Sequence, residues 1–137
     1  MTSQPPRPRN QRLVVLYLQL AEAAAGRHAV DTRNRLLLLA GRSAHAAGWA
    51  DEAAFCRQLV LTTNPHHLIG NHSSFQDALE SADYRAFDHQ LQRNCPQEKA
   101  EHLAAVQKID TESLDSEPPR LIANDILTRL TSGLPEG

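Results

Sequence analysis

The amino-acid sequence predicts an all-α fold of about seven helices packed as antiparallel hairpins. Three observations lead there. Aromatic residues make up only 4% of the 137, against 41% apolar residues overall. An Ala- and Leu-rich core of this kind suits close helix-on-helix packing, whereas strands draw on Val, Ile, Tyr and Phe. Apolar positions recur at i, i+3, i+4 and i+7 in successive segments. The glycines stand singly, and most fit as helix stops. The length allows one domain with a real core and is too short for two.

Residues 1–9 hold Pro5, Pro6 and Pro8 without apolar periodicity and are expected to be a disordered tail. The single helical domain then spans residues 10–133, and residues 134–137 form a second tail. A first helix runs from about Asn10 to Gly26, with Leu13, Leu16, Tyr17 and Leu20 as its core stripe. Asp31 or Thr32 can cap a second helix from about Arg33 to Ala47. Its Leu36-Leu37-Leu38-Leu39 run is apolar on every side, as a helix sandwiched between neighbours requires. Gly48 ends it. A third helix starts near Asp51 and ends at Asn64-Pro65, because the residue before proline is pushed out of the helical region. Ser74 and Asp77 form a capping-box-like start for a short helix carrying Phe75, Ala78 and Leu79. Asp83 opens the next, with Tyr84, Phe87 and Leu91. Pro96 suits a first helical position ahead of Ala100, Leu103 and Ala104. A polar linker over residues 110–116 precedes a last helix from about Pro118, built on Leu121, Ile122, Ile126, Leu127 and Leu130 and stopping at Gly133.

Within residues 34–67, Gly41, Gly48-Trp49, Ala53 and Pro65 are spaced as in a paired-helix repeat. This stretch resembles one unit of the tetratricopeptide repeat, in which small residues let two antiparallel helices approach closely and a proline closes the unit. The resemblance implies a right-handed stack of helical hairpins. It departs from the family pattern at Leu37, Ala44 and Arg57, where rings are usual, and at Val60, where alanine is typical. No second clean copy follows Pro65, and a lone unit cannot bury its own face. Such repeats commonly receive a peptide or helix of a partner in a groove. On this chain the corresponding surface would carry Arg35, Arg42 and His45, and the two arginines could clamp a carboxylate bidentately.

Formal net charge is -2, which provides no global electrostatic case for nucleic acid. The distribution is uneven: basic residues dominate up to Trp49 and acidic ones beyond it. No stretch approaches the ~20 apolar residues needed to cross a bilayer, so no membrane partner is expected. Arg7, Arg9 and Arg12 ahead of the apolar residues 13–21, with Ala21-Glu22-Ala23 after them, imitate a weak export signal. Tyr17, Gln19 and the helical stripe favour a cytoplasmic protein instead. Cys56 and Cys95 make no disulfide framework and suit reduced thiols.

His66, His67 and His72 lie within seven positions and have ligand chemistry suited to zinc. There is no CxxC and no HExxH, and adjacent histidines rarely reach one ion. Ser73 beside His72, and Cys95 after His89, have no nucleophile elbow or orienting acid. The expected function is therefore a small non-catalytic interaction module, an adaptor or scaffold without cofactor. It would bind another protein or a second copy of itself. A second surface is expected at the polar connector, through His66, His67, Asn71 and His72. The competing reading is a metal- or small-ligand-binding helical domain centred on those histidines.

Overall fold

The computed structural model describes residues 7–110 and 117–132. Residues 1–6 of the expected first tail, the expected second tail with the Gly133 stop before it, and residues 111–116 of the expected linker lie outside the described residues. Seven α-helices are present among the described residues, without a strand: α1 (Arg7–Gly26), α2 (Val30–Ala46), α3 (Ala50–Thr63), α4 (Phe75–Glu80), α5 (Ala82–Asn94), α6 (Gln97–Val106) and α7 (Pro119–Ser132). A 3-10 turn at Leu68–Asn71 sits between α3 and α4. The first helix thus starts at Arg7, inside the expected tail.

Two tight turns fold α1, α2 and α3 back on one another. In the first, Ala29 N–H donates to the Ala24 carbonyl at 2.9 Å and His28 N–H to that of Ala25 at 3.0 Å. In the second, Trp49 N–H reaches the Ala44 carbonyl at 2.8 Å and Gly48 N–H that of His45 at 3.1 Å. Both are Schellman closures, which require one residue in the left-handed region. Gly48 fills that place at φ 82° and His28 at φ 60°. The closure delivers the chain directly into the next helix. For that reason α2 begins at Val30 with Ala29 before it, and not at an Asp31 or Thr32 cap. Asp31 instead lies in the first turn of α2, and Asp51 and Glu52 in the first turn of α3, where negative charge is favoured. Ser74 does cap α4, accepting from Asp77 N–H at 3.2 Å. Pro96 precedes α6 as its N-cap.

Consecutive helices pack as hairpins, and α7 returns to lie against both α1 and α3. The helices α1, α2, α3 and α7 therefore close into a ring of four. On the other side of α2 lie α4 and α5, while α6 rests on α1. The middle of helix α2 is covered all round, with every residue from Leu36 to Gly41 buried, while Val30, Asp31, Arg35 and Ala46 are exposed. Its apolar run is thus satisfied without an exposed face. Gly41 is the point of closest approach. A Cβ there would lie 2.3 Å from Phe75 Cζ and 3.2 Å from Cys56 Cβ, so only hydrogen fits beneath the ring that α4 contributes.

Two arginine–carboxylate forks hold α7. The Glu52 carboxylate, 4% exposed, accepts from Arg120 Nε at 2.8 Å, Arg120 Nη2 at 2.9 Å and Asn124 Nδ2 at 2.7 Å. Hydrogen bonding from Arg120, aided by Asn124, outweighs burial and holds this carboxyl below its ordinary range. The Arg120 guanidinium also lies 5.7 Å over the Trp49 ring. At the other end Arg129 Nε and Nη2 donate to Glu22 at 2.6 and 3.0 Å, on the surface. Ile126, Leu127 and Leu130 of α7 are buried in the ring, which leaves Leu121 as its exposed large apolar residue.

A cation-rimmed groove as candidate functional site

Where the corner between α5 and α6 crosses α2, packing is incomplete. A groove of about 230 Å³ remains there. Its floor on the α2 side is Thr32, Arg35, Leu36 and Leu39, residues at helical spacing that share one face. Leu91 and Asn94 close it from α5, Cys95 from the corner, and Lys99 and Leu103 from α6. The walls are leucines because the same residues serve the core: Leu36, Leu39 and Leu91 are otherwise buried. The rim is cationic. Arg35 and Lys99 are exposed, and neither pairs with a described carboxylate. Arg35 donates only to Thr32 Oγ1, at 3.3 Å. No lining residue is acidic.

The Cys95 thiol is half-buried in this wall. Burial pushes it above its ordinary value, with Lys99 opposing, so it stays protonated and is a weak nucleophile. The Cys95 carbonyl accepts from the Tyr17 hydroxyl at 2.8 Å, which ties the corner to α1. Burial pushes the Tyr17 phenol up to about 12, so that donor keeps its proton throughout the physiological range. Beyond Leu39 lies a second hollow of about 160 Å³, reaching Arg9, Leu13, Arg42 and Gln97. Most of its polar groups are already engaged: Arg9 Nε donates to Gln97 Oε1 at 3.0 Å, and Arg42 and Gln92 donate to Asp88.

The predicted partner-binding residues divide among different places. Arg35 is on the groove. Arg42 is turned inward: its Nε lies 2.9 Å from one oxygen of the buried Asp88 carboxylate and donates to the other at 3.1 Å. With Arg42 held by Asp88, the two arginines do not form one free clamp. His45 is half-buried near the end of α2. In the connector, His67 Nδ1 accepts from Ile69 N–H at 3.0 Å and its ring meets Phe87 edge-on, with centroids 5.4 Å apart. His72 packs its ring against Tyr84, while its carbonyl accepts from Arg57 Nε and Nη2 at 3.1 and 2.7 Å. Arg57 is thus the strut that fixes the connector to α3. His66 and Asn71 are exposed. Ser73 hydrogen-bonds Asp77. Among the described residues no three His, Cys, Asp or Glu side chains converge as a metal set.

Lys99 and Leu103 were not singled out as site residues from sequence. Their i, i+4 spacing on α6 is a signal that one face carries both, but nothing local reveals that this face meets α2. Comparison with protein-family models, curated proteins and solved structures gave no significant match, so no family is assigned. The class defined by the fold is an all-helical domain of hairpins.

Proposed function

We propose that this protein is a non-catalytic interaction module that takes a segment of another protein into the groove between α2, α5 and α6. The α2–α3 hairpin would serve as a tetratricopeptide-like unit, with Gly41, Gly48, Trp49, Ala53 and Pro65 as its framework. The observation that carries the reading is the groove itself: an apolar floor under two cations that have no carboxylate partner among the described residues. Cations without a described carboxylate partner, set over an apolar floor, are the elements a partner supplies a complement to. Size favours a protein segment over a free small molecule. Ligand pockets usually enclose about 300–1,000 Å³, and this groove, at about 230 Å³, is below that range.

The test uses the full chain as bait with Asn94→Trp, which fills the groove from an exposed position. A partner captured by the parent should be lost from this variant while its thermal melt is unchanged. A partner kept by Asn94→Trp but lost from a His66→Ala, Asn71→Ala double variant would move the interface to the connector and defeat the reading.

A further inference from the structure

Resting on that reading, we infer that the groove's occupant is an acidic amphipathic helix of the partner, with one bulky apolar anchor flanked by carboxylates. Three features of the groove select it. The floor is leucine, so the group that enters is apolar and gains by leaving water. The volume accepts a side chain and little more. The two cations come from different walls, Arg35 from α2 and Lys99 from α6, so carboxylates are needed on both sides of the anchor and not at one end of it. A helix meets that requirement directly, because residues three and four positions before and after the anchor share its face. A linear amphiphile with one terminal carboxylate satisfies one cation and leaves the other unpaired. A second copy of this chain would have to present such a face itself. Of the exposed large apolar residues Val30, Val106 and Leu121, Leu121 comes nearest to such a face, with Asp125 four positions after it and Glu117 four before it but ahead of α7, so a second copy is kept as an outcome of the test.

The charges act mainly through encounter and selectivity. Rim cations in water contribute modest affinity but penalise a wrong-sign partner, and their effect is weakened by salt. Binding should therefore discriminate by sign more sharply than by exact sequence.

Cys95 supplies an internal reporter, because it lines the groove whereas Cys56 is fully buried. The probe is a short Ala-based helical peptide with a central leucine and glutamates three and four positions to either side. It should slow alkylation of Cys95 and shift the backbone amide resonances of the groove residues. Replacing its glutamates by lysine should weaken binding at least about tenfold, and Arg35→Glu with Lys99→Glu should reverse that preference. Equal protection by glutamine or lysine peptides, or no protection by the glutamate peptide, overturns the inference. So does equal protection by decanoate, which would make the occupant a free amphiphile. Protection that rises with protein concentration alone would make it a second copy. A natural partner lost from Asn94→Trp while the glutamate peptide fails to bind leaves the interaction reading intact and removes only the acidic-helix occupant.

Discussion

The ring formed by α1, α2, α3 and α7 and the layer formed by α4, α5 and α6 are built on different chemistry. The ring is held by continuous apolar burial, from Val14 to Leu18 in α1, Leu36 to Ala40 in α2, and Ile126 with Leu127 in α7. The layer buries far less. Helix α6 contributes Ala100 and Ala104, and α5 contributes Tyr84, Asp88 and Leu91. It is fastened by polar links instead: Arg42 to Asp88, Arg57 to the His72 carbonyl, and Tyr17 to the Cys95 carbonyl. The difference teaches where function can be placed. At the seam with a lightly packed layer a groove opens without breaking the leucine contacts that fold the chain, and a further hollow of about 380 Å³ lies between α1 and α7 beside Gln19, Glu22, Ile122 and Arg129.

That contrast can be broken most directly in the ring. Leu37→Ala, at a fully buried site, should cost about 2–5 kcal/mol in urea denaturation. A loss below about 1 kcal/mol would mean that the ring is not the stabilising unit. The two forks on α7 sharpen the comparison within the ring. Glu52→Gln removes charge-assisted bonds from a buried carboxylate and should cost about 1.5–3 kcal/mol. Glu22→Gln, at an exposed pair, should cost less than about 1 kcal/mol. The Glu52 carboxyl is held low in the folded state. Its contribution is therefore complete above the ordinary carboxylate value near 4.3 and is lost as pH falls through the lower folded value. Acid unfolding of Glu52→Gln should lack that component, and identical acid curves would remove Glu52 from the account.

At the seam, Gly41→Ala should cost about 1–3 kcal/mol through overpacking under Phe75, measured by the shift in thermal midpoint. Gly48→Ala tests a different cause. Gly48 is exposed, so its cost is the left-handed backbone and not the close helix approach expected from the repeat pattern. In the layer, His67 must stay neutral at Nδ1 to accept Ile69 N–H, and burial lowers its pKa. A depressed folded value means that stability is present above about 6.5 and declines as pH falls through the folded value. Urea midpoints from pH 7.5 to 5 should show this decline in the parent and less of it in His67→Asn, whose amide oxygen can take over the cap. The smallest effect is a gain. His28→Gly should stabilise by roughly 0.5–1 kcal/mol by relieving the left-handed position in the first turn, and a loss there would mean that the His28 side chain makes a compensating contact.

Much of the fold was legible from residue patterns. The Leu36–Leu39 run identified α2 as the surrounded helix, Ser74 with Asp77 marked the start of α4, and Gly48 marked the turn that its φ requires. Boundaries moved where backbone hydrogen bonds took over from side-chain caps, as at Ala29. The site was legible only in part. The sequence groups Arg35 and Arg42 on one cationic surface, and Arg35 is exposed at the groove, but spacing along one helix does not show that Asp88 arrives from α5 to hold Arg42. His67 and His72 were candidates because a polar connector seemed unpacked, and their rings instead meet Phe87 and Tyr84.

By itself, the sequence determined what depends on neighbours along the chain: helical class, the positions of turns, and which helix is apolar all round. Those follow from backbone preferences and from a period of 3.6 residues, both local properties. Tertiary structure alone decided which charges are spent and which remain available. Glu52 meets Arg120 across 68 residues and Arg42 meets Asp88 across 46, while Arg35 and Lys99 line one groove over leucines without a carboxylate partner among the described residues. Coulombic pairing depends on distance in space, and distance between helices is set by packing, which no local pattern encodes.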